Sequence, residues 1–123
     1  MILHLKNVLT GEELATARSL LDDQAAWVDG RHSAGTQAQT RKNNEQLAQD
    51  SEAARALQAM ILGAVQRDPL FFSAALPRKI FNPLFNRYRG NANHYGNHID
   101  NAVLRSRADG QWVRSDIACT LFL

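Results

Sequence analysis

The chain has 123 residues, 45% of them hydrophobic and 21% charged, with 14 Lys and Arg against 12 Asp and Glu. Such a composition folds rather than staying disordered, and the length suits one small domain. The formal charge of +2, with its basic residues scattered, excludes the concentrated basic stripe of a protein that tracks nucleic-acid phosphates.

A single cysteine, Cys119, excludes an internal disulfide and a multi-cysteine zinc site. Its place in the apolar run 117–123 predicts a small buried hydrophobe, in a reducing, cytoplasmic setting. The first residues lack the basic start, long apolar stretch and cleavage site of a secretory leader. No apolar run approaches the roughly 18 residues that cross a bilayer, so a soluble protein without membrane partners is expected.

Residues 2–8 read as a short strand. Thr10 then opens a helix, with Glu13 completing a capping box and Leu9 and Leu14 at staple positions. Leu14, Ala17, Leu20 and Leu21 share one helical face. Residues 26–28 predict a strand ended by Asp29 and Gly30. Residues 31–44 are polar and aperiodic and read as a long loop. Ser51 opens a second helix, whose face is Leu57, Met60, Ile61, Ala64 and Val65, and Pro69 stops it. Phe71, Phe72 and Leu76 follow as a compact apolar patch. Both helical stripes are read as core.

After Pro77, residues 79–88 and 95–104 read as extended. Asp109 and Gly110 lie between Val103-Leu104 and Trp112-Val113, a hairpin signal with a loop that can exceed two residues. In the last run, Val113, Ile117, Cys119, Leu121 and Leu123 can share one strand face. Trp27 and Trp112 are read as partly buried packing residues. The expectation is a single α+β domain over 1–123, helical over 1–76 and stranded over 77–123, with helices laid on one sheet. An apolar strand left as a bare edge invites aggregation. The chain is therefore read as part of a longer polypeptide, and self-association into a homo-oligomer through that edge is a further expectation.

Chemistry concentrates between Arg87 and Asp100. On a strand, His98 and Asp100 face the same way and Ile99 the other. An imidazole beside a carboxylate is two corners of the facial triad that holds non-haem Fe(II), with a second His completing it. His-x-Asp alone is a weak signal, because a surface histidine near a carboxylate gives the same triplet.

The surroundings are more specific. Arg87, Tyr88 and Gly90 precede Tyr95, which stands three residues before His98; Leu76-Pro77-Arg78, Pro83-Leu84-Phe85-Asn86, Trp27-Val28-Asp29-Gly30 and Lys42-Asn43-Asn44 accompany them. Together these resemble the bacterial PKHD-type hydroxylases, dioxygenases dependent on Fe(II) and 2-oxoglutarate, over essentially the whole chain, as the N-terminal half of such a protein. The resemblance implies a double-stranded β-helix (jelly-roll) with helices on its outer face, truncated here before the fold is complete. It implies His98 and Asp100 as iron ligands, Tyr88 as a hydrogen-bond partner of a 2-oxoglutarate carboxylate, and Tyr95 at the substrate mouth. It also implies hydroxylation of a C–H position on a protein side chain or a small molecule, with 2-oxoglutarate decarboxylated to succinate, and ascorbate as an accessory.

The pattern has gaps. The distal His and the basic co-substrate anchor have no counterpart here; His4, His32 and His94 are poor substitutes, and Arg105, Arg107 and Arg114 lie on the wrong hairpin and read as solvated charge. Phe122 stands where some relatives carry a tyrosine. The tyrosines also have a plain reading as strand packing residues, and Lys42, Asn43 and Asn44 read equally as residues that reach the active-site mouth or as a solvated loop. Two rival functions stay open at this point. One is a non-catalytic fragment or interaction module with an incomplete metal site. The other is a nucleobase-oxidising dioxygenase, disfavoured by the balanced charge and 7% aromatic content.

Overall fold

Thr10 begins helix α1 (Gly11–Leu20) with the capping box its sequence predicts. Its hydroxyl accepts from Glu13 N at 3.1 Å, and the Glu13 carboxylate accepts from Thr10 N at 3.0 Å. In the computed structural model, which describes residues 1–106 and 109–123, the other elements follow in mixed order. They are β1 (Trp27–Asp29), 3-10 turns at Gly30–Ser33 and Gln39–Arg41, β2 (Lys42–Asn43), β3 (Glu45–Leu47), α2 (Glu52–Arg67), α3 (Pro69–Ala75), β4 (Asn86–Arg87), β5 (His94–Tyr95), β6 (Val103–Arg105) and β7 (Trp112–Arg114).

The fold class is α+β, with antiparallel pairing between neighbouring strands and no closed barrel among the described residues. One sheet has the order β1-β3-β4, and two pairs, β2-β5 and β6-β7, stand beside it. The strands are not confined to residues 77–123: three of them precede α2. The core joins Ala17 of α1, Leu47 of β3, Ala54, Leu57 and Ile61 of α2, and Phe85 just before β4. Leu20, Leu21, Trp27 and Met60 pack around it. This is the helical face read from the sequence, and burial of apolar side chains at about 25 cal/mol per Å² drives it.

Several expectations give way. Residues 2–8 form no strand, and Met1, Ile2 and Leu3 are exposed. Asn7 takes a left-handed conformation (φ 58°) that breaks the extended run. Pro69 does more than stop α2. Asp68 closes α2 and caps α3, accepting from Phe71 N at 2.8 Å, while Pro69 fills the first turn of α3. The patch of Phe71, Phe72 and Leu76 is not sealed, since Phe72 and Leu76 are exposed. Of the extended segments expected at 79–88 and 95–104, only β4, β5 and β6 pair. The β6-β7 hairpin is formed, with Leu104 opposite Val113 and Gly110 at φ +70° in its loop. Residues 115–123 form no strand, and Cys119 and Trp112 are exposed rather than packed. The pairing with the β6 side ends at Ser115, whose N donates to Ala102 O at 2.8 Å.

The sheet is fastened by Arg87. Its guanidinium lies 4.0 Å over the Trp27 ring, with Nε 2.9 Å from Glu45 Oε2 and Nη1 2.9 Å from Asp23 Oδ1. Arg89 touches the same two carboxylates at 3.1 and 2.7 Å. Hydrogen bonding from Arg87 first, and from Arg89, holds the Glu45 carboxyl below its ordinary value.

Two outcomes follow from this packing. Leu57, fully buried, has nowhere to collapse when truncated, so Leu57→Ala is expected to lower unfolding free energy by about 2–5 kcal/mol in urea titration. The lowered value of Glu45 means its stabilisation is complete above the ordinary 4.5 and disappears as pH falls through the folded-state value. Glu45→Gln should therefore lower the urea midpoint at pH 7, and the gap from the parent chain should close at acid pH.

Candidate metal site

The site is built from the β2-β5 ladder. Lys42 pairs with Tyr95 and Asn43 with His94. One residue further on, Gly96 N donates to Arg41 O at 2.7 Å, and the Asn43 side-chain amide donates to Asn91 O. These bonds fix the Gly96 peptide, and its carbonyl receives His98 Nδ1 at 2.9 Å. A carbonyl only accepts, so Nδ1 carries a proton, and the neutral imidazole then has its lone pair on Nε2.

That lone pair faces Asp100. Nε2 and Oδ1 are 3.2 Å apart. Two acceptors at this separation repel unless a proton or a cation lies between them. Two donors bound at about 2.1 Å and at right angles on one metal ion would stand about 3 Å apart. The arrangement therefore suits a divalent cation, with the second bond of the imidazole orienting the first. His98 and Asp100 are the pair that could hold it. Among the described residues, no third His, Cys, Asp or Glu joins them.

The convergence does not come from a strand, as the sequence predicted. Residues 98–100 are irregular and the chain bends at Asn97. The Tyr95 ring stacks on the imidazole, with centroids 3.7 Å apart and planes 10° from parallel. Lys42 Nζ lies 5.1 Å from the centre of the same tyrosine ring. Burial first, then the charges of Asp100 and Tyr88, push the Tyr95 phenol above its ordinary value. Tyr95 is thus a wall of the site directly behind the imidazole. Tyr88 is 48% exposed, and its phenol is free to meet a ligand.

The remaining histidines stay apart. His4 is exposed near the start, His32 is exposed in the first 3-10 turn, and His94 is exposed on β5. Arg105 lies 5.9 Å from the Trp112 ring centre and Arg114 pairs with Asp116 at 2.8 Å, so both are engaged on the hairpin; Arg107 lies outside the described residues.

The polar stretch 31–44 is where the sequence reading fell furthest short. Lys42 and Asn44 are buried, as is Gln46 beyond them. Lys42 Nζ donates to Ser33 Oγ at 3.0 Å, and burial lowers its ammonium below the ordinary value, against the pull of Asp29. Asn44 Nδ2 and Gln46 Nε2 both donate to Asn86 Oδ1, at 3.1 and 3.0 Å. A Cβ on Gly30 would meet Asn44 Oδ1 at 1.9 Å, so only glycine fits there. The available signal was the alternation of Lys42, Asn44 and Gln46, a period of two carried by polar residues.

Beside His98 opens a cleft of about 560 Å³, lined by Gln37, Ala38, Thr40, Arg41, Asn97 and Ile99. Of these only Ile99 was named from the sequence, and it was expected to face away from His98; on the irregular chain it lines the same cleft. Removing the stacked ring should loosen the imidazole. Tyr95→Ala is expected to broaden the His98 ring signals in NMR and to abolish the ring-current shift on them, while the β1-β3 amide signals stay in place.

No family model matches the sequence. Named relatives do, along the whole chain. It is 56% identical over 123 residues to a PKHD-type hydroxylase of Variovorax paradoxus and 54% identical over 123 residues to one of Polaromonas sp., in each case covering 100% of this chain and 54% of the relative. A PKHD-type hydroxylase of Nitrosomonas eutropha is 54% identical over 124 residues, with the same coverage. The chain spans about half the length of the curated relatives it matches. Over all the residues it has, this chain is similar to the PKHD-type hydroxylases.

Proposed function

We propose that the chain supplies two iron ligands, His98 and Asp100, to an Fe(II)- and 2-oxoglutarate-dependent dioxygenase that hydroxylates a C–H position. The observation that carries this reading is the 3.2 Å approach of His98 Nε2 to Asp100 Oδ1, with Nδ1 committed to the Gly96 carbonyl. The relatives' name, hydroxylase, supports the reaction class. A neutral imidazole and a carboxylate are donors of the facial triad used for non-haem iron.

When bound, iron with 2-oxoglutarate supplies the oxidising power for C–H hydroxylation, with succinate and carbon dioxide as co-products. The residues of this chain bind and orient. Asp100 brings the negative charge, His98 a directed lone pair, and Tyr95 blocks rotation of the imidazole by stacking. Tyr88, exposed on the chain after β4, is the proposed hydrogen-bond donor to a co-substrate carboxylate. The third donor and the basic co-substrate anchor are assigned to the rest of the protein, as is completion of the short strands into a jelly-roll. The proposed setting is cytoplasmic; among the described residues, no helix is long and apolar enough to cross a membrane.

Mn(II), a paramagnetic stand-in for Fe(II), tests the ligand pair in the 123-residue chain. Electron paramagnetic resonance should show one site per chain, weakened at least tenfold by His98→Ala and by Asp100→Ala. Binding indifferent to both substitutions would overturn the assignment. The reaction is tested in a chimera in which this chain replaces the matching half of the Variovorax paradoxus relative. Fe(II)-dependent conversion of 2-oxoglutarate to succinate is expected, and its loss in the His98→Ala chimera.

A further inference from the structure

The cleft beside His98 has one charged wall. Arg41 lines it together with the neutral polar groups of Gln37, Thr40 and Asn97, and with Ile99. Arg41 forms no ion pair among the described residues, whereas Arg31, Arg67, Arg87 and Arg89 each face a carboxylate. Its backbone is fixed by the bond from Gly96 N to its carbonyl. Its stem runs close to the Gly96 backbone: the position a Cβ would take on Gly96 lies 3.4 Å from Arg41 Cβ and 3.9 Å from Cγ. A guanidinium anchored at its root and free at its tip, beside amide and hydroxyl groups, is built to take a planar anion through paired hydrogen bonds.

We propose that this cleft is a subsite for an anionic group, a carboxylate, on the molecule that is hydroxylated, and that Arg41 selects it. The inference rests on the preceding reading for the identity of the neighbouring centre, and not for the binding of the anion itself. His98 lines the same cleft. A carboxylate held by Arg41 therefore places the rest of its molecule within reach of the His98 and Asp100 pair. Substrates with a free carboxylate are favoured over their amides, because a neutral amide leaves the guanidinium unpaired. The resident charge of the cleft is a cation, so basic side chains are disfavoured as the group seated there.

Benzoate and benzamide, alike in shape and different in charge, are suitable probes in the 123-residue chain without metal. Amide shifts of Gly96, Asn97 and Ile99 in NMR should move on titration with benzoate and not with benzamide. Arg41→Gln should weaken benzoate binding at least fivefold, and Arg41→Lys less, since lysine keeps the charge and loses the fork. Unchanged β2 and β5 amide signals in these variants verify that the ladder persists. Because the titration is run without metal, a failed iron site, read by Mn(II) binding, and a failed anion subsite, read by benzoate, give separate results. Equal shifts with benzamide, or full binding by Arg41→Gln, overturn the proposal. So does 2-oxoglutarate binding at these amides tenfold more tightly than benzoate, which would make the carboxylate the co-substrate's.

Discussion

Two residue pairs, Lys42 with Tyr95 and Asn43 with His94, decide how the candidate site is presented. They align the Gly96 peptide, which aligns His98, which meets Asp100. Without them the His-x-Asp triplet is a stretch of irregular chain with two exposed polar side chains. The ladder itself is short, and two pairs are a marginal sheet in isolation. It persists because Lys42 on one of its strands is buried and hydrogen-bonded to Ser33, and because the chain running on from it enters β3, the central strand of the main sheet.

That main sheet depends on a different kind of contact. Arg87 and Arg89 reach the same two carboxylates, yet they are not equivalent. The Arg87 side chain is 16% exposed and lies on Trp27, whereas that of Arg89 is 52% exposed. Exposed ion pairs contribute about 0–1 kcal/mol, while a desolvated guanidinium over an indole contributes about 2 kcal/mol or more. Arg87 is therefore the fastening and Arg89 an accessory. The same arginine carried part of the family resemblance in the sequence. Its work here is to hold the scaffold, at a distance from the metal pair.

What could be read from the sequence was whatever apolar periodicity or local capping encodes. The α1 capping box, the Leu57 and Ile61 face of α2 and the hairpin around Asp109 and Gly110 all stand as expected. Strand β3 and the role of residues 37–44 could not be read in that way. Their inward-facing residues Lys42, Asn44 and Gln46 are polar, and an alternation of polar with polar looks like solvated loop until tertiary structure buries it. Cys119 and Trp112 failed for the opposite reason. Their hydrophobicity predicted burial, but a side chain is buried only when something packs over it. Of the candidate site, His98 and Asp100 were suggested by their spacing, and Tyr95 and Tyr88 by the family resemblance. The bend at Asn97 and the Gly96 carbonyl that sets the tautomer came only from coordinates.

The interlacing of early and late strands also fixes an order of assembly. Strand β1 meets β3 across a short stretch of chain, Asp29 opposite Glu45. The contacts of Asn44 and Gln46 with Asn86 close loops of 42 and 40 residues. The contact of Asn43 with Asn91 closes one of 48. Longer closures cost more chain entropy and slow folding, so the first hairpin can form well before β4 and β5 dock. A chain halted at that stage holds His98 and Asp100 on an unorganised tail with no defined spacing. The spacing of His98 and Asp100 is thus set only in molecules whose late strands have docked, and the proposed cation would meet both donors only there.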